Sequence, residues 1–189
     1  MSDTIRTFIA IELPENIRSF ISKIQENMKS YGFKVRWVRP ENIHITLKFL
    51  GDINEADTEK ITGAMSQAAK GRPPVSLGVK GIGVFPGIKR PRVIWMGLNG
   101  DTFPLIELQK AIDENLGNMG FPKEKRPFKG HLTLARAKGN IDSKKLLDAM
   151  KAFGGFESET FIADKVILFR SNLKPAGAVY TKLGSCQLP

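Results

Sequence analysis

The chain has 189 residues, with 29 Lys or Arg against 19 Asp or Glu for a formal charge of +10, and 41% of it is hydrophobic. This describes a basic globular chain, long enough to build a core without metal or disulfide staples, and its lone Cys186 fits a reducing, cytoplasmic setting. No apolar run approaches the roughly 18 residues that span a bilayer, and Phe8-Ile9-Ala10-Ile11 before Glu12 is too short for a signal-peptide core. The expectation is therefore no membrane association and an anionic partner, nucleic acid first among the candidates.

Taken in order, Thr7 to Leu13 reads as a strand, and Pro14-Glu15 opens a helix with Ile17, Phe20, Ile21, Ile24 and Met28 at helical spacing. Strands follow at Val35 to Val38 and Ile43 to Leu50. A second helix, starting after Asp52 or Asn54, carries Ile61, Ala64, Met65 and Ala68 on one face. Val75 to Val84 and Arg92 to Leu98 read as strands, and a third helix after Asp101 carries Leu105, Leu108, Ile112 and Leu116. The strand His131 to Ala137 precedes a fourth helix near Asp142-Ser143 with Leu146, Leu147 and Met150. Phe161 to Phe169 and Ala178 to Leu183 complete the set as strands. Helices and strands interleave throughout, without a low-complexity linker, which predicts one domain over residues 1–189 made of two similar α+β lobes.

The chain has two histidines, and each is followed two places later by threonine: His44-Ile45-Thr46-Leu47 and, 87 residues on, His131-Leu132-Thr133-Leu134. With nine threonines in 189 residues, both placements arise by chance with a probability of about 0.002. In a strand, alternate side chains share a face, so His44 and Thr46 point one way while Ile45, Leu47 and Phe49 point into the core. His131 and Thr133 repeat this against Leu132 and Leu134. Taken singly, either motif is ordinary for an exposed strand; the pair is not. A neutral imidazole can take a proton from water, a protonated one can give a proton to a leaving oxygen, and two hydroxyls can hold non-bridging oxygens, a set suited to a phosphodiester.

On these residues the chain resembles the two-histidine (2H) phosphoesterases, and among them the RNA 2′,3′-cyclic phosphodiesterases, also called 2′-5′ RNA ligases. The likeness takes in Phe8 to Ile11, Trp37 through Gly51, Pro91 to Trp95, His131 to Arg136, and Ser171-Asn172-Leu173 toward Tyr180. It implies an α+β bilobal fold: two similar antiparallel-sheet lobes related by a pseudo-two-fold, helices outside and a cleft between. It implies hydrolysis of RNA cyclic phosphates to 2′-phosphates with no metal and no other cofactor, and a reverse 2′-5′ ligation. Its substrates would be RNA with cyclic ends, tRNA fragments being one candidate source, and the expected state is a monomer. Carried over, His44 is the proton donor to the 3′ oxygen and His131 the acceptor from water, while Thr46 and Thr133 bind phosphate oxygens. Arg136 matches a basic residue after the second motif, yet simple alternation puts it on the face opposite His131, so a bulge or strand end would be needed.

Cations and rings interleave beside both motifs: Lys34, Arg36, Trp37 and Arg39 before the first, Lys123, Lys125, Arg126, Phe128 and Lys129 before the second. Lys89, Arg90, Arg92 and Trp95 make a third cluster. Arg36, Trp37, Arg39, Arg92, Arg126, Phe128 and Lys129 are thus candidates for holding single-stranded RNA, the cations on phosphates and the rings under bases. Two histidines without a Cys-x-x-Cys or His-Glu-x-x-His spacing fall short of a zinc site, and Gly78-x-x-Gly81-x-Gly83 is neither a Walker loop nor a dinucleotide fingerprint. The alternatives are a non-catalytic RNA or nucleotide-binding module, and a 2H phosphodiesterase acting on small cyclic nucleotides or 2′-5′ oligonucleotides.

Overall fold

A computed structural model describes residues 4–175 and 177–189. The first strand, β1 (Thr4–Glu12), is buried on both faces through its middle, as a central strand must be. Helix α1 (Glu15–Lys29) follows Pro14, with Glu15 in its first turn, Lys29 in its last, and a buried stripe of Ile17, Ile21, Ile24, Gln25 and Met28. Strand β2 (Val35–Trp37) and a 3-10 turn (Pro40–Asn42) lead into β3 (His44–Asn54). Helix α2 (Thr58–Ala69) buries Ile61, Met65, Ala68 and Ala69. Next come β4 (Val75–Phe85), β5 (Val93–Gly100), α3 (Thr102–Gly117) and β6 (His131–Ala137). Helix α4 (Ser143–Phe153) is capped by Asp142, which accepts from Lys144 N–H at 2.9 Å and Lys145 N–H at 3.0 Å. The chain ends in β7 (Phe161–Ala163), β8 (Lys165–Lys174) and β9 (Gly177–Gln187).

All nine strands join one antiparallel sheet in the order β7-β4-β5-β6-β3-β1-β8-β9, with β2 also on β6. Its halves mirror each other: β3-β1-β8-β9 on one side and β6-β5-β4-β7 on the other, each inner strand opening with a histidine. One register pair, Ile45 opposite Leu132, joins β3 to β6. The two lobes expected from the sequence are thus halves of one continuous sheet, joined where the motifs meet.

The stretch Phe161 to Phe169, expected as a single strand, is two. β7 pairs with β4 and β8 with β1, so the chain crosses from one half to the other at Asp164, whose carbonyl accepts Leu188 N–H at 2.7 Å. The main core, rich in Ile and Leu, lies between sheet and helices. A second, small cluster of Phe8, Ala10, Ile167 and Phe169 sits apart from it, with Tyr180 packed against it.

Candidate active site

The motif strands do not alternate regularly. On β1, Ile9 faces Lys48 and Ala10 faces Thr46, which leaves Leu47 as an extra residue in β3; on β5, Ile94 faces Ala135 and Trp95 faces Thr133, which leaves Leu134 extra in β6. Both bulges fall directly after the motif threonine, and each produces two consecutive buried residues, Leu47-Lys48 and Leu134-Ala135. Beyond the bulge the next side chain returns to the cleft face. Arg136 therefore lines the same cavity as His131 and Thr133, and Phe49, expected in the core, is 62% exposed and lines it with His44 and Thr46. Phe49 and Arg136 each stand five places after their histidine, at equivalent points of the two halves.

The cavity, about 640 Å³, lies between the two motifs. His44 Nδ1–H donates to the Asn42 carbonyl at 2.7 Å, and His131 Nδ1–H to the Lys129 carbonyl at 2.7 Å. The same bond, to the residue two places earlier, fixes the same tautomer in both rings and leaves each Nε2 for a ligand. His44 stacks on Phe8 at 4.7 Å and meets the edge of Tyr180 at 5.4 Å. His131 sits edge-on to Phe85 at 5.0 Å and to Trp95 at 6.2 Å. Gly83 makes room for that shelf, since a Cβ there would stand 2.1 Å from the Trp95 ring.

Burial pushes the His44 pKa down to about 4, with the positive charges of Arg136 and His131 adding to the effect and the Asn42 hydrogen bond opposing it. His44 is thus neutral in the empty cleft at neutral pH. Solvent reaches part of the ring through the cleft mouth, but Phe8, Tyr180 and the small apolar cluster surround the rest.

Arginines dominate the charge at the wall. Arg36 of β2 pairs directly with Arg136 of β6, like charges side by side on one face, an arrangement that an anion between them would relieve. Arg6 and Arg39 also line the cavity, as does Trp37. Arg92, Arg126, Phe128 and Lys129 lie outside this wall. Phe128 packs against the core, and Lys129 places its ammonium 4.5 Å from the Trp95 ring, beneath the His131 shelf. Phe8, Phe49, Phe85, Tyr180, Arg6 and Ser171 join the site without having been named as site residues from the sequence. Phe8, Phe49, Ser171 and Tyr180 carried a signal in lying within the segments of family likeness, whereas Arg6 and Phe85 carried none. A smaller hollow of about 320 Å³, lined by Glu12, Arg18, Glu41 and Lys182 among others, adjoins the cleft at His44 and Tyr180.

Two imidazoles of one tautomer, each with a threonine two places on, set on the inner strands of a doubled antiparallel sheet, define a two-histidine phosphoesterase cleft. The model of the LigT-like phosphoesterase family matches residues 11–95 and 101–180, and the chain belongs to that family. The chain is 37% identical over 180 residues to an RNA 2′,3′-cyclic phosphodiesterase of Methanothermobacter thermautotrophicus, covering 95% of this chain and 96% of that protein. It is 39% identical over 176 residues to the protein of the same name from Methanocaldococcus jannaschii, covering 93% and 96%. Among solved structures it is similar to a Thermus thermophilus protein, with a TM-score of 0.80 and 26% identity over 97% of this chain and 98% of that one. E. coli LigT complexed with 3′-AMP gives a TM-score of 0.73 and 27% identity over 98% and 99%.

Proposed function

We propose that this chain hydrolyses the 2′,3′-cyclic phosphate ends of RNA to 2′-phosphomonoesters. The observation that carries this is the mirrored pair of Nδ1-anchored histidines, whose free Nε2 atoms serve one cavity with Thr46, Thr133 and Arg136. Water attacks phosphorus and gives its proton to His131; the P–O3′ bond breaks, and His44 protonates O3′. The two threonine hydroxyls and Arg136 hold the non-bridging oxygens as charge builds. With an RNA 5′-hydroxyl in place of water, the same ring opening breaks P–O3′, the 5′-hydroxyl proton going to His131 and O3′ taking one from His44, and yields a 2′-5′ linkage.

The likeness to RNA 2′,3′-cyclic phosphodiesterases supports cyclic-phosphate hydrolysis, and the Arg36, Arg39 and Arg6 wall supports a polyanionic RNA over a lone nucleotide. His44 needs a proton before it can donate one. The bound phosphodiester brings a negative charge beside the ring, which offsets Arg136 and draws that proton in. The buried, unpaired Cys186 supports action in the reducing cytoplasm.

The test offers RNA with a 2′,3′-cyclic end, including tRNA fragments, beside small cyclic nucleotides in excess EDTA. Turnover of the RNA to a 2′-phosphate, undiminished by chelation, is expected. A preference for small cyclic nucleotides, or a loss restored by one metal, overturns the proposal.

A further inference from the structure

The bulge in β3 that returns Phe49 to the cleft also turns Lys48 inward, toward α3. The Lys48 side chain is 1% exposed, and its partner Asp113 on α3 is 13% exposed. Lys48 Nζ donates to Asp113 Oδ1 and to the Pro122 carbonyl, the latter at 2.7 Å. The Glu124 N–H donates to both Asp113 carboxylate oxygens at 3.2 Å. The pair therefore grips segment 118–130, which joins α3 to β6, at two points, Pro122 and Glu124. Next to its end stands Lys129, whose carbonyl fixes the His131 ring.

A buried ion pair is a poor source of stability, since apolar replacement of both partners is often neutral or favourable, but its directional bonds hold a geometry that apolar packing does not. On the footing that the cleft hydrolyses cyclic phosphates, we infer that Lys48 and Asp113 are positioning residues: they tie the strand carrying the first histidine to the segment that sets the second. The tether acts through the Lys129 carbonyl on the orientation of His131. It also holds Lys123, Lys125 and Arg126 in a fixed segment just ahead of the second motif.

The decisive variant replaces both charges, Lys48→Met with Asp113→Leu, so that neither is left buried and alone. Its melting temperature should match or exceed that of the wild type. Trypsin should cut after Lys123 or Lys125 at least about tenfold faster, because segment 118–130 is released. The His131 ring resonances should move or broaden while those of His44 hold. Turnover of a minimal cyclic dinucleotide should fall roughly 10–100-fold in kcat with KM little changed, as when the partner orienting a functional imidazole is lost. A folded double variant with wild-type trypsin resistance, His131 resonances and kcat would overturn the inference. If the double variant does not fold, Asp113→Asn decides in its place: it keeps the shape, loses the charge, and should show the same faster cleavage and the same His131 change, whereas wild-type behaviour overturns the tether. Should the wild type fail to cleave cyclic ends, the proposed function falls, and trypsin and the His131 signal still decide on the tether by themselves.

Discussion

His44 and His131 share a backbone bond and a tautomer but differ in setting. His44 is enclosed by Phe8 and Tyr180, and burial holds its pKa at about 4 against an ordinary 6.5. Between those two values the unfolded chain binds more protons than the folded one, so stability is intact above about pH 6.5 and declines as pH falls toward 4, by at most about 3 kcal/mol. Replacing His44 with Gln should flatten that slope, which urea midpoints at pH 7 and at pH 4.5 will check. On the proposed mechanism, the same group should set the acid limb of kcat/KM near pH 4. A bell-shaped profile is identical whichever histidine is the acid, because both assignments count the same number of protons. A substrate with a better leaving group at O3′ breaks the tie: it should rescue His44→Ala and leave His131→Ala slow, and the opposite pattern reverses the two roles. Thr46→Ala and Thr133→Ala should each cost at most about 2–4 kcal/mol of transition-state stabilisation, read from kcat/KM.

At the scale of strands and helices, the sites of chemistry depend on bulges. Period-two alternation placed His44, Thr46, His131 and Thr133 on one face because those residues precede the bulge, and it failed at Phe49 and Arg136 because those follow it. Nothing in Leu47 or Leu134 marks an extra residue: a leucine looks the same in a regular strand and in a bulge. The surroundings hold the second bulge in place, with Gln25 of α1 donating to the Leu134 carbonyl at 3.0 Å and to the Val38 carbonyl at 2.8 Å. Helix positions were legible because their apolar stripes recur over three or more turns, whereas the break at Asp164 was hidden inside a run of strand-forming residues. The β4–β5 pair supports the His131 shelf through Gly83, so Gly83→Ala should displace the Trp95 ring and destabilise the fold by about 1–3 kcal/mol, seen as a lowered urea midpoint.

Across the whole molecule, two near-repeats meet at one strand pair and place one histidine motif on each half, both lining one cavity. The repeat was visible in the sequence as two histidine motifs with helices around them; the closure of both halves into one sheet was not, because pairing partners far apart in the chain leave no local pattern. The charge of +10 has a wall to act on, with Arg6, Arg36, Arg39 and Arg136 on one cavity. Longer RNA should therefore bind more tightly than a cyclic dinucleotide and lose affinity more steeply as salt rises, by counterion release. Equal salt slopes for the two would mean that the arginines contact only the terminal phosphate.

The central claim is that His44 and His131 act as one acid–base unit, and single-turnover hydrolysis of cyclic-ended RNA tests it most directly. Four proteins are compared: the wild type, His44→Ala, His131→Ala and the double variant, each first shown to be folded. Each single variant should lose on the order of 10²–10⁴ in rate, and the double should be little slower than either, since groups that work together fail together. A single variant that keeps the wild-type rate, or a double variant whose loss is the product of the two single losses, would contradict it.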